Sequence, residues 1–238
     1  KYIYSVDPVN IVTTGTSWGG LGVNRNFVNL TTNYYVQLAS GTDDIGTDAA
    51  TNNQNAAAIS IGLIAGYNSQ GFNSIAIGQQ SGQNNQKSSA ISIGYLAGST
   101  NQGTSSIAIG LQAAQSTQGL TSIAIGPNAG RTNQGNATVA IGNQAGTNVQ
   151  GSGSIAIGIN SAATLQGLNS IAIGIQAGQG TQQSGGISIG YQSGQNTQGT
   201  NSIAIGIQAG LTNQLDNSIA MGFQAGQGTQ NASAMSIG

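Results

Sequence analysis

The sequence lacks the side chains on which most enzyme chemistry depends. Its 238 residues include no His, no Cys and no Glu, and only nine side chains carry a full charge. General acid–base and nucleophilic catalysis draw mainly on His, Cys and paired carboxylates. Transition-metal sites draw mainly on imidazole or thiolate. We therefore predict that the protein is not an enzyme and that it holds no metal ion or cofactor.

Basic charge is equally scarce. Four Lys or Arg residues are scattered along the chain, and the formal net charge is −1. Because nucleic-acid binding requires a basic patch for the phosphates, we expect no nucleic-acid partner. No apolar run approaches the roughly 20 residues that span a bilayer, so we expect no membrane insertion by this segment.

A strict period of sixteen residues runs through most of the chain. A glycine, preceded by Ile or once by Met, recurs at every sixteenth position from Gly46 to Gly238 without insertion or deletion. Residues 47–238 thus form twelve coils, whose positions we number 1–16 from the residue after each glycine. An irregular low-complexity chain does not keep such a register, whereas a solenoid must keep it because each coil stacks on the last.

The strand signal lies at positions 12–15, which typically read Ser-Ile-Ala-Ile. Apolar residues alternate there with period two, which predicts a strand whose Ile side chains share one face and whose small residues share the other. We expect the Ile face to fill the interior of the coil. The predicted core residues are Ile75, Ile77, Ile107, Ile109, Ile203 and Ile205.

Glycine argues against helix, because each glycine costs about 1 kcal/mol relative to Ala inside a helix. Every coil from residue 63 onward contains at least two glycines. Sixteen residues accommodate two short strands and two turns, and a dozen stacked coils would form a rod of roughly 55–60 Å. The sequence therefore predicts an all-β protein, a single-chain parallel β-roll or β-solenoid of 16-residue coils.

Position 8 is Gln in every coil. We call the residues at one position of successive coils a rank. We interpret the Gln rank as an amide ladder that bonds coil to coil and closes the turn, in preference to a ligand-binding stripe. The predicted ladder comprises Gln70, Gln86, Gln102, Gln118, Gln134, Gln150, Gln166, Gln182, Gln198, Gln214 and Gln230.

Position 14 is always Ala or Ser, and a strand face exposed to water would tolerate larger polar side chains. Such small residues indicate a close approach, either by the opposite strand of a thin roll or by a neighbouring chain. We favour the neighbouring chain, since small residues let identical chains pack side by side. The candidate interface residues are Ala76, Ala108, Ala124, Ala140, Ala156, Ala172 and Ala204.

The N-terminal segment differs in kind from the repeats. Residues 1–45 contain six of the eleven aromatic residues and read as short strands between glycine-rich turns. Open solenoid ends expose both core and strand edges, so they are usually capped. We predict that residues 1–45 form a non-repetitive β cap with a role in assembly, and that residues 46–238 form the solenoid.

The run Asn-Ser-Ile-Ala-Ile-Gly, as at 73–78 and 201–206, resembles the head repeats of YadA-like trimeric autotransporter adhesins. The resemblance covers residues 47–238 and implies a left-handed parallel β-roll that assembles as a homotrimer. The family's repeat is usually about fourteen residues long, so one turn is longer here. Sixteen-residue versions also look similar to repeats in surface or fibre proteins of large DNA viruses.

The resemblance implies a structural fibre or adhesin head exposed outside the cell, on a virion or a cell surface. Its partners would be further copies of the chain and a host-surface receptor or glycan. Two alternatives stay open. One is a filament or scaffold subunit without a receptor. The other is an ice-binding solenoid, whose threonines would be those of position 6, namely Thr100, Thr132, Thr164 and Thr212.

Overall fold

The computed structural model describes residues 42–46 and 48–238. Every regular element in this part of the chain is a β-strand, and all strand pairs are parallel. The predicted fold class is confirmed: the protein is an all-β solenoid of about twelve coils with about sixteen residues per turn. The predicted N-terminal cap lies, except for its last residues, outside the described residues.

The twenty-three strands are β1 (Thr42–Ile45), β2 (Asn52–Gln54), β3 (Ala58–Ile61), β4 (Asn68–Gln70), β5 (Ile75–Ile77), β6 (Asn84–Gln86), β7 (Ile91–Ile93), β8 (Thr100–Gln102), β9 (Ile107–Ile109), β10 (Ile123–Ile125), β11 (Val139–Ile141), β12 (Val149–Gln150), β13 (Ile155–Ile157), β14 (Leu165–Gln166), β15 (Ile171–Ile173), β16 (Thr181–Gln182), β17 (Ile187–Ile189), β18 (Thr197–Gln198), β19 (Ile203–Ile205), β20 (Asn213–Gln214), β21 (Ile219–Met221), β22 (Thr229–Gln230) and β23 (Met235–Ile237).

One wall of the solenoid is a thirteen-stranded sheet, which we call the long sheet. It contains the strands of positions 13–15, in the order β1-β3-β5-β7-β9-β10-β11-β13-β15-β17-β19-β21-β23. Each residue pairs with its equivalent in the next coil, as Ile75 does with Ile91. The same register holds between Thr42 and Ala58. The coil pairing therefore extends to Thr42, four residues before the predicted boundary.

The opposite wall is a second sheet in two segments. Strands β2-β4-β6-β8 form the first segment and β12-β14-β16-β18-β20-β22 form the second. Isolated bridges between Gln102, Gln118, Gln134 and Gln150 connect the two segments. The Gln rank is thus the feature that continues through both segments of this wall.

Position 7 changes conformation between the two segments. It is left-handed at Asn53, with φ of 54°, and at Asn85, with φ of 62°. No positive φ occurs at Val149 or Thr181, where the chain is extended. Asn tolerates the left-handed region, whereas β-branched residues favour strand conformation. The residue type at position 7 therefore biases the local shape of this wall without fixing it, since Asn213 has no positive φ and lies in β20.

The glycine of position 16 is required by both conformation and space. Gly158 has φ of +128°, and a Cβ added to it would lie 2.5 Å from the carbonyl oxygen of Gly174 in the next coil. Any side chain there would strain the backbone and force the coils apart. This requirement explains why the rank contains no other residue.

The structure reverses the predicted orientation of the long-sheet strands. The small residues of position 14 point into the solenoid, and the predicted interface residues are all 0% exposed within a single chain: Ala76, Ala108, Ala124, Ala140, Ala156, Ala172 and Ala204. They therefore contact the opposite wall and not a neighbouring chain. The predicted core residues are instead half-exposed on the outer face: Ile75, Ile77, Ile107, Ile109, Ile203 and Ile205.

The reason for this reversal is the width of the interior. A Cβ added to Gly82 on one side would lie 3.1 Å from the Cβ of Ala76 on the other. Two such walls leave no space for a branched four-carbon side chain, and overpacking a core is destabilising. Every fully buried apolar residue in the described part of the chain is accordingly Ala. Burial of small side chains, together with Gln, replaces a conventional aliphatic core.

Candidate functional site

The Gln side chains of position 8 cross the interior and join its two walls. Gln118 Nε2 donates to the carbonyl oxygen of Ile107, 2.8 Å away in the long-sheet strand of the preceding coil. It also lies 3.1 Å from the carbonyl oxygen of Ser122. The equivalent bond to position 13 is made by all the predicted ladder residues, Gln70, Gln86, Gln102, Gln118, Gln134, Gln150, Gln166, Gln182, Gln198, Gln214 and Gln230.

Direct amide bonds between successive Gln side chains occur at some steps of this rank. Gln182 Nε2 donates to Gln198 Oε1 at 2.9 Å, for example. Equivalent bonds join Gln54 to Gln70, Gln86 to Gln102, Gln134 to Gln150 and Gln166 to Gln182. The rank is therefore an interrupted ladder whose main partners are backbone carbonyls. Its residues from Gln70 onward are at most 5% exposed, so they present no surface to a ligand.

The outer surface of the long sheet carries two parallel ranks of apolar side chains. We call these the isoleucine face, defined as positions 13 and 15 of coils 47–238. Both ranks are Ile throughout, except for Val139, Met221 and Met235. Their side chains are half-exposed or exposed, with 36% at Ile125 and Ile189 inside the rod and 72% at Ile237 in the last coil. No charged or polar side chain interrupts this face, which is thus a continuous apolar strip along the rod.

Position 1, which follows the turn glycine, adds further exposed apolar side chains. Exposed fractions there are 44% at Tyr95 and 50% at Ile207, and reach 67% at Phe223. This rank is interrupted by Gln79, Pro127 and Asn143. Position 1 is therefore an irregular apolar rank beside the regular isoleucine face.

Charged groups are few and separate. In the part of the chain whose side chains are described, they are Asp48, Lys87, Arg131 and Asp216, all exposed. Within these residues, no three acidic side chains lie together as a metal site would require. No helix long and apolar enough to cross a bilayer occurs in residues 42–46 and 48–238.

Polar ladders also run along the outside. Side-chain amides join Gln176, Gln192, Gln208 and Gln224 at 2.9 Å per step. By contrast, the position-6 threonines proposed for ice binding form no continuous rank. Thr100 and Thr164 are exposed, but glycine replaces this side chain at Gly180 and Gly228. The structure therefore gives the ice-binding alternative no regular threonine array.

The exposed isoleucine face is the feature that sequence reasoning placed incorrectly. Positions 3, 12 and 14 are all restricted to Ala, Ser and an occasional Thr or Gly. Three small-residue ranks and one invariant Gln rank together describe a narrow interior. Considered together, they indicate the inward positions, whereas the hydrophobicity of Ile alone indicated the opposite face.

Comparison with known proteins identifies no relative. No family model, no curated protein and no solved structure matches this chain. The resemblance to adhesin head repeats therefore stays an interpretation of the repeat sequence.

Proposed function

We propose that the protein is a structural component of a fibre or adhesin head, exposed on a virion or cell surface, and that it assembles as a homotrimer. The observation that carries the proposal is the isoleucine face. An unbroken apolar strip on a rod with only four described charged side chains is poorly suited to remain in water. Covering it is favourable because burial removes apolar surface from water.

The repeat spacing argues that the covering partner is another copy of the chain. Equivalent Ile residues recur once per coil, about 4.8 Å apart along the rod. A second copy carries ridges and grooves of the same spacing, so the side chains interlock along the whole length. Few other partners would present a matching spacing over a strip of this length. Three identical chains that turn this strip toward a common three-fold axis also form a closed symmetric assembly.

The available area is consistent with such contacts. A strip about 10 Å wide and 55–60 Å long offers roughly 600 Å² per chain, compared with about 800 Å² per partner in standard interfaces. Position 1 lies at the border of this strip and enlarges the contact. The trimeric state and the surface location are supported by the resemblance to adhesin head repeats, in which three chains form the head.

Light scattering coupled to size exclusion tests the assembly. We expect a mass three times that of the 23.6 kDa chain. Replacing Ile141 and Ile157 together with Lys should give monomers that keep their β-sheet circular dichroism, because both side chains are half-exposed. The matched control is Gln144→Lys, at an exposed position of a neighbouring rank in the same region. A monomeric parent chain, or variants that stay trimeric, would overturn the assembly proposal.

Attachment is tested separately from assembly. Labelled trimer should bind to host-cell surfaces in a saturable manner, and unlabelled protein should compete. A stable trimer that shows no saturable attachment would support the scaffold alternative over the adhesin.

A further inference from the structure

The N-terminal coils carry an open groove that the repeat alone does not explain. It has a volume of about 220 Å³ and lies at the turn between positions 7 and 10 of the first three coils. Its lining includes Phe72, Lys87, Asn53, Ser69 and Asn85. Two residues of this groove, Phe72 and Lys87, differ from the residues at the same positions of the other coils. Because the chain is otherwise so repetitive, we interpret this surface as having its own role.

Phe72 supplies an apolar platform in this groove. It is the only aromatic residue at position 10 and is 54% exposed. Its neighbours at the same position are Ala56 and Ser88, so no large side chain covers the ring from the adjacent coils. Below it the floor is closed, since a Cβ on Gly71 would lie 2.4 Å from the backbone nitrogen of Ser88. An exposed ring beside a closed floor suits stacking of a flat ligand face.

Lys87 supplies the charge. Position 9 is glycine in the coils on either side, at Gly71 and Gly103, and Lys87 is the only cation at this position. The side chain is exposed, and no acidic residue lines the groove. An ammonium group without a neighbouring carboxylate favours a ligand that brings its own negative charge.

Position 7 supplies hydrogen-bonding groups at regular spacing. Asn53, Ser69 and Asn85 all have left-handed backbones, with φ of 54°, 58° and 62°. The side chains of Asn53 and Ser69 make no hydrogen bond within the described part of the chain. Their amide and hydroxyl groups can both donate and accept, as sugar hydroxyls require of their partners.

We propose that this groove binds an acidic saccharide unit, with the sugar ring stacked on Phe72, its carboxylate or sulfate at Lys87, and its hydroxyls at Asn53 and Ser69. The volume lies below the 300–1,000 Å³ of pockets that enclose drug-sized ligands, so the site accommodates one sugar unit of a longer chain. This inference rests on the proposed function, because it names the ligand class through which an exposed head would attach.

An array of immobilised saccharides tests the site. It should carry uronic-acid, sialic-acid and sulfated sugars beside neutral counterparts of the same backbones, together with acidic peptides. We expect the full chain to bind acidic sugars selectively and to lose up to about 10-fold in affinity with Phe72→Ala, the scale of one lost aromatic contact. Lys87→Gln should abolish the preference for acidic over neutral sugars.

Matched controls change equivalent groups outside the groove. Leu120→Ala removes an apolar side chain, 51% exposed, from position 10 of the fifth coil, and Arg131→Gln removes the other described cation. Both should leave binding unchanged. Binding to no acidic sugar, binding only to acidic peptides, or retained binding in the Phe72→Ala, Lys87→Gln double variant would overturn the site. Oligomer mass is measured on the same samples: a trimer without sugar binding refutes this site alone, whereas a monomer that binds refutes the assembly alone.

Discussion

Ser60 Oγ donates a hydrogen bond of 2.6 Å to Gln70 Oε1 in the interior of the next coil. The equivalent bond joins Ser92 to Gln102 and Ser188 to Gln198. Where position 14 is Ala, the amide oxygen of the following coil often has no partner, as at Gln86, Gln118, Gln134, Gln166, Gln214 and Gln230. Ser at position 14 therefore satisfies a buried acceptor that is otherwise unpaired unless the preceding Gln amide donates to it, as at Gln150 and Gln182.

We expect Ser60→Ala to lower the free energy of unfolding by about 1 kcal/mol, the typical net value of one buried hydrogen bond. Gln70 Oε1 would keep its bond from Gln54 Nε2 at 3.0 Å, which limits the loss. Urea denaturation followed by circular dichroism measures the change. The control is Ser105→Ala, whose exposed hydroxyl makes no hydrogen bond within the described residues. Equal destabilisation by both variants would contradict the assignment.

Replacing Ala with Ser at position 14 would add the hydroxyl donor that the unpaired Gln amide oxygens lack. We expect this change to stabilise the protein only where the residue six positions later leaves space for the hydroxyl. In the eleven coils before the last, each Ser at position 14 is followed six residues later by Gly, and a Cβ on Gly66 would lie 2.3 Å from Ser60 Oγ. Ala124→Ser faces Gly130, so we expect it to stabilise the protein by about 1 kcal/mol by satisfying Gln134 Oε1.

Ala108→Ser faces Ala114 instead, and should destabilise the protein by about 1–3 kcal/mol through overpacking. The second change Ala114→Gly should rescue it. A double-mutant cycle on unfolding free energies measures this coupling. Additive effects of the two changes would show that the residues do not touch.

The turn glycines should tolerate no side chain. Gly158→Ala should cost at least about 1–3 kcal/mol, because it combines a positive φ with a contact to the next coil's backbone. Gly228→Ala is the matched control, since nothing lies within 4 Å of its added Cβ and its φ is not positive. Melting temperatures of the two variants provide the measurement. A Gly158→Ala variant as stable as the control would refute the close approach.

Reversal of the two strand faces can be tested with neighbouring residues. Ala108→Arg should unfold several coils, because it forces a charge into a closed interior where Ala108 is 0% exposed. Ile109→Asp should keep the fold, since Ile109 is half-exposed on the outer face. Circular dichroism and oligomer mass are recorded for both. A folded Ala108→Arg monomer alongside an unfolded Ile109→Asp variant would restore the opposite orientation.

The sequence by itself determined the repeat architecture. An uninterrupted glycine every sixteen residues, with alternating Ile and small residues before it, specifies a strand and a turn in every coil. The resulting parallel register, such as Ile107 opposite Ile123, follows directly because identical residues stack on one another. The strand, the turn and the register depend only on local and periodic features, so they can be predicted from the sequence alone.

Only the tertiary structure decided which face points inward. Alternation defines two faces of a strand without assigning either one to the core. The assignment depends on the distance between the two walls, which is set by how the Gln side chains bridge them and by the close approach of Ala76 to Gly82. That distance is too short for Ile and suits Ala or Ser. The isoleucine face and the groove beside Phe72 are therefore properties of the stacked coils, which no single repeat displays.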